Sequence, residues 1–201
     1  MCKHHNHRTD FFDRMADQWD SFAKHCPNKL MYLFNKANLK QGNRVLDVGT
    51  GTGVLIPYIV SEIGETGEVD AVDLSNKMLE KAIEKYPYKN VNYIWGDIND
   101  IYMMYQYDAI FCYCVFPHFA DKFKTLKQLA DGLNVGGKII IYHPQSKEKI
   151  NSVHKRVGVE EDVLPPAKEV ANMMRLAGLH VSDSKIKDNS SMYYVEGMRL
   201  S

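Results

Sequence analysis

Arg44–Val60, RVLDVGTGTGVLIPYIV, decides how the rest of the chain reads. Arg44 to Val48 is an apolar run of strand length. A loop with glycines at 49, 51 and 53 follows, and then an apolar helix beginning near Val54. Lacking a Cβ, glycine lets backbone turn sharply and approach a ligand closely. The first amides of the next helix have no intrahelical acceptor and face the same place. The pattern therefore predicts a small-molecule pocket at the C-terminal end of a parallel strand. Asp73 ends the next apolar run, Val69–Val72, and stands 73 − 53 = 20 residues past the last glycine. That suits an acid accepting from ribose hydroxyls.

The glycine spacing then separates nucleotides. Dinucleotide binding uses glycines at relative positions one, three and six. Here the sixth positions are Val54 and Ile56, so neither frame fits. Asp47, two residues before Gly49, would repel a pyrophosphate but could accept from an amine through water. S-adenosylmethionine (SAM) carries an amine and a sulfonium and no phosphate. The loop favours SAM over NAD.

Around this stretch, apolar runs and amphipathic periods alternate, which implies parallel strands joined by right-handed crossovers. Strands are predicted at Val69–Val72, Val91–Trp95, Tyr107–Cys112 and Lys138–Tyr142. Helices are predicted at Lys77–Lys85, capped by Ser75, and at Lys122–Leu133, capped by Asp121. Phe123, Leu126, Ala130 and Leu133 would form the core face of the latter. Residues 143–165 read as a loop with a short helix, a natural lid over an acceptor. Within it Glu160-Glu161-Asp162 reads as a solvated charge run. Pro166 starts a helix to Ala177 closed by Gly178. Leu179–Lys187 and Met192–Arg199 read as a final hairpin. Ahead of the glycine loop, Phe11, Met15, Trp19 and Phe22 share one face of a helix that begins at Asp10 and stops at Pro27. A second helix spans Lys29–Asn38.

The ordered set LDVGTGTG, VDLSNKML, GDIND, YDAIFCYCVFPHF and LNVGGKIII resembles the class I SAM-dependent methyltransferases. The resemblance runs from about Phe11 to the end. One departure is Asn134-Val135, where that family usually has Lys-Pro. The resemblance implies an α/β Rossmann-like fold: a seven-stranded, mostly parallel sheet with an antiparallel last strand and helices on both faces. It implies one domain over 1–201, with an N-terminal helical cap (1–40) folding over the cofactor and a core at 41–201. It places SAM against Asp47, Gly49, Thr50, Gly51, Gly53, Asp73, Leu74, Asp97, Ile98 and Cys112, with Asp97, Ile98 and Leu74 around the adenine. FFDRMADQWD is similar to the entry segment of quinone and sterol methyltransferases, whose acceptors are small.

Methyl transfer is a direct displacement, and a base is needed when the nucleophile must lose a proton. Candidates lie at the ends of the fourth and fifth strands: Tyr113, His118 and His143, with Asn151 and His154 shortly after. His118, His143 and His154 could alternatively converge on a divalent metal. Cys26, Cys112 and Cys114 raise the possibility of a thiol or metalloid acceptor. Cys2, His4, His5 and His7 form a second, terminal metal candidate.

Composition bounds these readings. The 201 residues carry 25 Lys plus Arg against 25 Asp plus Glu, so no basic field points to nucleic acid. No apolar run has membrane-spanning length, MCKHHNHR lacks a signal-peptide core, and the four cysteines form no CxxC pair. These features predict a reduced, cytoplasmic protein with a small-molecule acceptor, no nucleic-acid or membrane partner, as a monomer or homodimer. Two other classes stay open: a SAM-binding or metal-sensing protein without turnover, and a Rossmann-type dehydrogenase, which the glycine spacing disfavours.

Overall fold

Val45, Leu46 and Val48 of β1 (Arg44–Val48) are all but completely buried, as a strand covered on both faces requires. The same holds for Val69, Ala71 and Val72 of β2 (Glu68–Asp73), which pairs parallel with β1. β3 (Val91–Trp95) pairs parallel with β2 and reaches the exposed Trp95. This computed structural model describes residues 3–201, with side chains from Thr9 onward. The chain forms two compact units, Met1–Ile101 and Tyr102–Ser201.

The first unit holds β1 to β3 with helices α1 (Lys3–Met15), α2 (Trp19–Phe22), α3 (Pro27–Ala37), α4 (Ile56–Ile63) and α5 (Asn76–Lys85). The second holds β4 (Tyr107–Tyr113), β5 (Leu133–His143), β6 (Ile186–Asp188) and β7 (Tyr193–Met198), with α6 (Lys122–Gly132), α7 (Lys147–Arg156) and α8 (Ala167–Leu176). β4 and β5 are parallel, while β7 runs antiparallel to both β5 and β6. The strand order is β3-β2-β1-β4-β5-β7-β6, a seven-stranded Rossmann-like sheet with flanking helices. This is the expected fold class.

Several boundaries differ from the sequence reading, each for a local reason. The N-terminal helix starts before Asp10 and breaks at a 3-10 turn, Ala16–Gln18. Asp17 in that turn and Asp20 in α2 pair with Lys81 and Lys85, one turn apart on α5. Pro27 does not stop this element: α2 has already ended at Phe22, and Pro27 is the first residue of α3. Helix α4 begins at Ile56, two residues late, because Thr50 to Leu55 are spent on turns.

Of the expected core face, Leu126, Ala130 and Leu133 are buried and Phe123 is exposed, while Thr125 and Leu129 join the buried face of α6. β5 starts at Leu133 because Asn134–Gly137 bulges within the strand, between the pairs Tyr107↔Leu133 and Ala109↔Lys138. The 143–165 loop contains a ten-residue helix, α7, capped by Ser146. It has no buried residue and hence no apolar period to read. The predicted strand Leu179–Lys187 shrinks to β6; a 3-10 turn occupies Asp183–Lys185, and His180 makes an isolated bridge to Met198.

Glycine is required at Gly53. Its φ is +86°, and a Cβ there would lie 2.9 Å from the Tyr86 ring and 3.2 Å from Ala82 Cβ. The expected outcome for Gly53→Ala is a loss of about 1–3 kcal/mol in unfolding free energy, from backbone strain plus the clash. Gly96, where an added Cβ meets nothing within 4 Å, serves as control. Gly96→Ala leaves the urea midpoint unchanged, whereas Gly53→Ala lowers it.

Candidate functional site

In the first unit, the loop after β1 is fixed to the end of β2 by backbone bonds. Gly49 N and Thr50 N both donate to Val72 O, at 2.8 and 3.0 Å. Gly49, Gly51 and Gly53 all have positive φ, so the loop turns where the glycine pattern says it must. The Asp73 carboxylate spans the two loops, accepting from Gly51 N at 2.8 Å through Oδ2 and from Ser75 N at 2.8 Å through Oδ1.

Asp47 is buried to 1% exposure and accepts from Thr50 Oγ1 at 2.7 Å. Burial pushes its carboxyl up to about 7; the Thr50 hydroxyl pulls against this, and the Asp73 charge adds to it. Asp97 caps the 3-10 turn Ile98–Asp100, its Oδ1 accepting from Asn99 N at 2.9 Å. Ile98 is buried, and Trp95 Nε1 donates to Leu74 O at 3.0 Å. The structure thus brings Asp47, Gly49, Thr50, Gly51, Gly53, Asp73, Leu74, Asp97 and Ile98 to the C-terminal ends of β1 to β3.

The N-terminal segment is tied to these same loops. Ser75 Oγ donates to Asp13 Oδ1 at 2.5 Å while accepting from Met78 N to cap α5. Thr52 Oγ1 donates to Asp20 Oδ1 at 2.6 Å, and Asp20 also pairs with Lys85. Burial raises the Asp20 carboxyl, but Lys85 and Thr52 overcome it and hold the group below the ordinary carboxylate range. The Trp19 indole nitrogen sits 3.8 Å from where a Gly51 Cβ would be. Asp13 and Asp20 were not among the sequence candidates. The available signal was the spacing of Asp13, Asp17 and Asp20 against Lys81 and Lys85.

In the second unit, Cys112 and Tyr113 are buried at the end of β4, and the Cys114 thiol is pushed up to about 12 by burial. His118 ends the 3-10 turn Phe116–His118, which Lys122 Nζ braces by donating to Pro117 O and Phe119 O. His118 Nδ1 lies 2.6 Å from Asp162 Oδ2, and the His154 ring stands 5.0 Å from the His118 ring, centroid to centroid. His154 Nδ1 donates to Asp162 O at 2.5 Å. His143, at the end of β5, is 1% exposed, and among the described residues neither ring nitrogen has a hydrogen-bond partner. Burial, then the neighbouring His118 and His154, holds it down to about 3, a neutral imidazole.

Asp162 corrects the sequence reading. It was expected on a solvated charge run, yet it is buried at 2% while Glu160 and Glu161 are exposed. Two preceding acids disguise it in the sequence. Among the described residues, no three His, Cys, Asp or Glu side chains are grouped to hold a metal ion. The Cys2, His4, His5 and His7 candidate lies outside the described side chains. No described helix is long and apolar enough to cross a membrane.

Comparison with known proteins bears on the family and the fold. Residues 39–194 match a family model described as a methyltransferase domain. A malonyl-acyl carrier protein O-methyltransferase of Priestia megaterium is 30% identical over 140 residues, 70% of this chain and 49% of that protein. A demethylmenaquinone methyltransferase of Lactobacillus johnsonii is 25% identical over 206 residues, 95% of this chain and 80% of that protein. The chain spans about half the length of the first of these relatives. The crystal structure of a SAM-dependent methyltransferase from Aquifex aeolicus shares the fold at TM-score 0.72, with 24% identity over 92% of this chain and 97% of that one. The family match over most of its length, with the glycine loop and its acids in register on β1 to β3, makes this chain a member of the class I SAM-dependent methyltransferases.

Proposed function

We propose that the protein transfers the methyl group of SAM to a small-molecule acceptor. The observation that carries this reading is the Asp73 carboxylate held by Gly51 N and Ser75 N beside the glycine loop, with Asp47 behind it. Asp73 would accept from the ribose hydroxyls, Asp47 would face the amino group, and Asp97 with Ile98 and Leu74 would flank the adenine. SAM supplies a methyl group already activated on a sulfonium. The protein's task is therefore to orient both reactants and exclude water.

A small acceptor agrees with the balanced charge of the chain and with its relatives. Of these, the Lactobacillus johnsonii relative is named for the small molecule demethylmenaquinone, whereas the Priestia megaterium one is named for a malonyl group on an acyl carrier protein. A cytoplasmic location and the absence of a nucleic-acid or membrane partner belong to the same proposal. Burial pushes the Cys114 thiol up to about 12, which makes the thiolate that captures a metalloid costlier to form at that position. A dehydrogenase is disfavoured by the same acid, Asp47, that would sit against a pyrophosphate.

Calorimetric titration with SAM and with its demethylated product tests the proposal. Both should bind and NAD should not; NAD binding without SAM binding would overturn it. Asp73→Ala is expected to weaken SAM about 10–100-fold, the loss of one or two hydrogen bonds to a charged acceptor. It should also cost some stability, since Gly51 N and Ser75 N lose their acceptor. Unchanged SAM affinity would remove Asp73 from the site.

Asp47 gives a pH prediction with a definite sign. Its folded value, about 7, lies above the ordinary 3.8, so the native state keeps a proton that the unfolded chain has released. Its contribution to stability is therefore full below the ordinary value and falls as pH rises through about 7. A cationic amine beside it favours the ionised form. SAM binding at about pH 6 should therefore release a proton from Asp47, visible as different binding enthalpies in buffers of different ionisation enthalpy. The Asp47→Asn variant should show no such difference.

A further inference from the structure

Asp162 is held from two sides by α7. Asn151 Oδ1 accepts from Leu164 N at 2.8 Å and Asn151 Nδ2 donates to Leu164 O at 3.1 Å, so one amide side chain pairs the returning strand like a short piece of sheet. One helical turn on, His154 Nδ1 donates to the carbonyl of Asp162 itself. Asp162 N in turn donates to Val159 O at 3.0 Å. The backbone of 159–164 is thereby fixed, and the buried carboxylate it carries is presented to His118 Nδ1 at 2.6 Å. Asn151 and His154, three residues apart on one face of α7, carry this arrangement although α7 buries no apolar residue.

The chemistry follows from which atoms can donate. An ionised carboxylate only accepts, so the proton of a neutral His118 sits on Nδ1 and its lone pair on Nε2. A carbonyl only accepts too, so His154 has the same tautomer. A buried carboxylate also stabilises the imidazolium formed when the ring takes a proton. His143, neutral and buried nearby, adds no positive charge against that event.

We propose that Asp162 is a positioning residue that holds His118 with Nδ1 protonated and Nε2 basic, so that His118 is the base for an acceptor that loses a proton on methylation: a phenol, an activated carbon or a thiol, rather than a carboxylate. This rests on the methyltransferase reading above. The step balances. As the acceptor's electron pair bonds to the methyl carbon, the pair of the broken carbon–sulfur bond stays on sulfur. The acceptor's proton passes to His118 Nε2 and afterwards to water.

The first test needs no acceptor. In the full chain labelled with 15N-histidine, the His118 signals, assigned by their absence from His118→Gln, should report the Nδ1–H tautomer. Asp162→Ala should abolish that preference, and so should Asp162→Asn, whose amide NH2 can donate to Nδ1. An Nε2–H tautomer in the unsubstituted protein, or one unaffected by Asp162→Ala, overturns the positioning role. The second test follows methyl transfer to a reduced naphthoquinone and to a malonyl thioester carboxylate. With the naphthoquinol, Asp162→Asn and Asp162→Ala should lower kcat by about 100-fold, the low end of a general-base contribution, with KM and SAM affinity unchanged. Methylation of the carboxylate alone, or an unchanged kcat, overturns the acceptor class. SAM titration of the same samples fails separately if the methyltransferase reading is wrong, and the tautomer measurement reads Asp162 in either case.

Discussion

One carboxylate, that of Asp73, holds the loop after β1 to the loop after β2. Its two oxygens take the Gly51 and Ser75 amides, and these belong to the segments that would otherwise have unsatisfied donors at the ends of adjacent parallel strands. The arrangement positions the rest. With Gly51 fixed, Gly49 and Thr50 reach Val72 O, and Thr50 turns its hydroxyl to Asp47. With Ser75 fixed, its hydroxyl both caps α5 and receives the N-terminal segment through Asp13. An acid at this place therefore has a structural role before any ligand arrives.

The N-terminal segment extends that logic by charge. Asp17 pairs with Lys81 at 2.9 Å and Asp20 with Lys85, so α5 offers two cations one turn apart to two acids across the 3-10 break. Exposed pairs of this kind contribute little singly. What they decide is register: the broken helix can dock on α5 with its phase set in one way, which places Trp19 against the glycine loop.

How much of this was legible in the sequence depends on what kind of signal each element sends. Buried strands announce themselves by apolar runs, and Val91–Trp95 is bounded as the sequence predicts. Caps do as well: Ser75 and Asp121 accept from the third amide of their helices, as their positions imply. The glycine loop's conformation was legible because its glycines and acids act through backbone geometry over a short span. Helix α7 was not, since it is held by Ser146, Asn151 and His154 through polar bonds rather than by an apolar face. Asp162 was masked by Glu160 and Glu161, because a string of letters carries no sign of which of three acids turns inward. Its partner is 44 residues away, beyond any local pattern.

The buried ionisable groups at the strand ends show a common design in their environments. Asp47 at the end of β1 and His143 at the end of β5 are both displaced toward their neutral forms by burial, one upward to about 7 and the other downward to about 3. After burial, Asp47 feels Thr50 and Asp73, and His143 feels His118 and His154. Asp162 is the opposite case, a buried acid that meets a histidine on one side and fixed backbone on the other. A buried charge persists only where a partner repays its desolvation. Among the described residues no cation pairs with Asp47, whereas His118 has Asp162 beside it. Within this sequence, the first is suited to receive charge from a ligand and the second to receive a proton from one, and neither assignment could be exchanged without moving the partner.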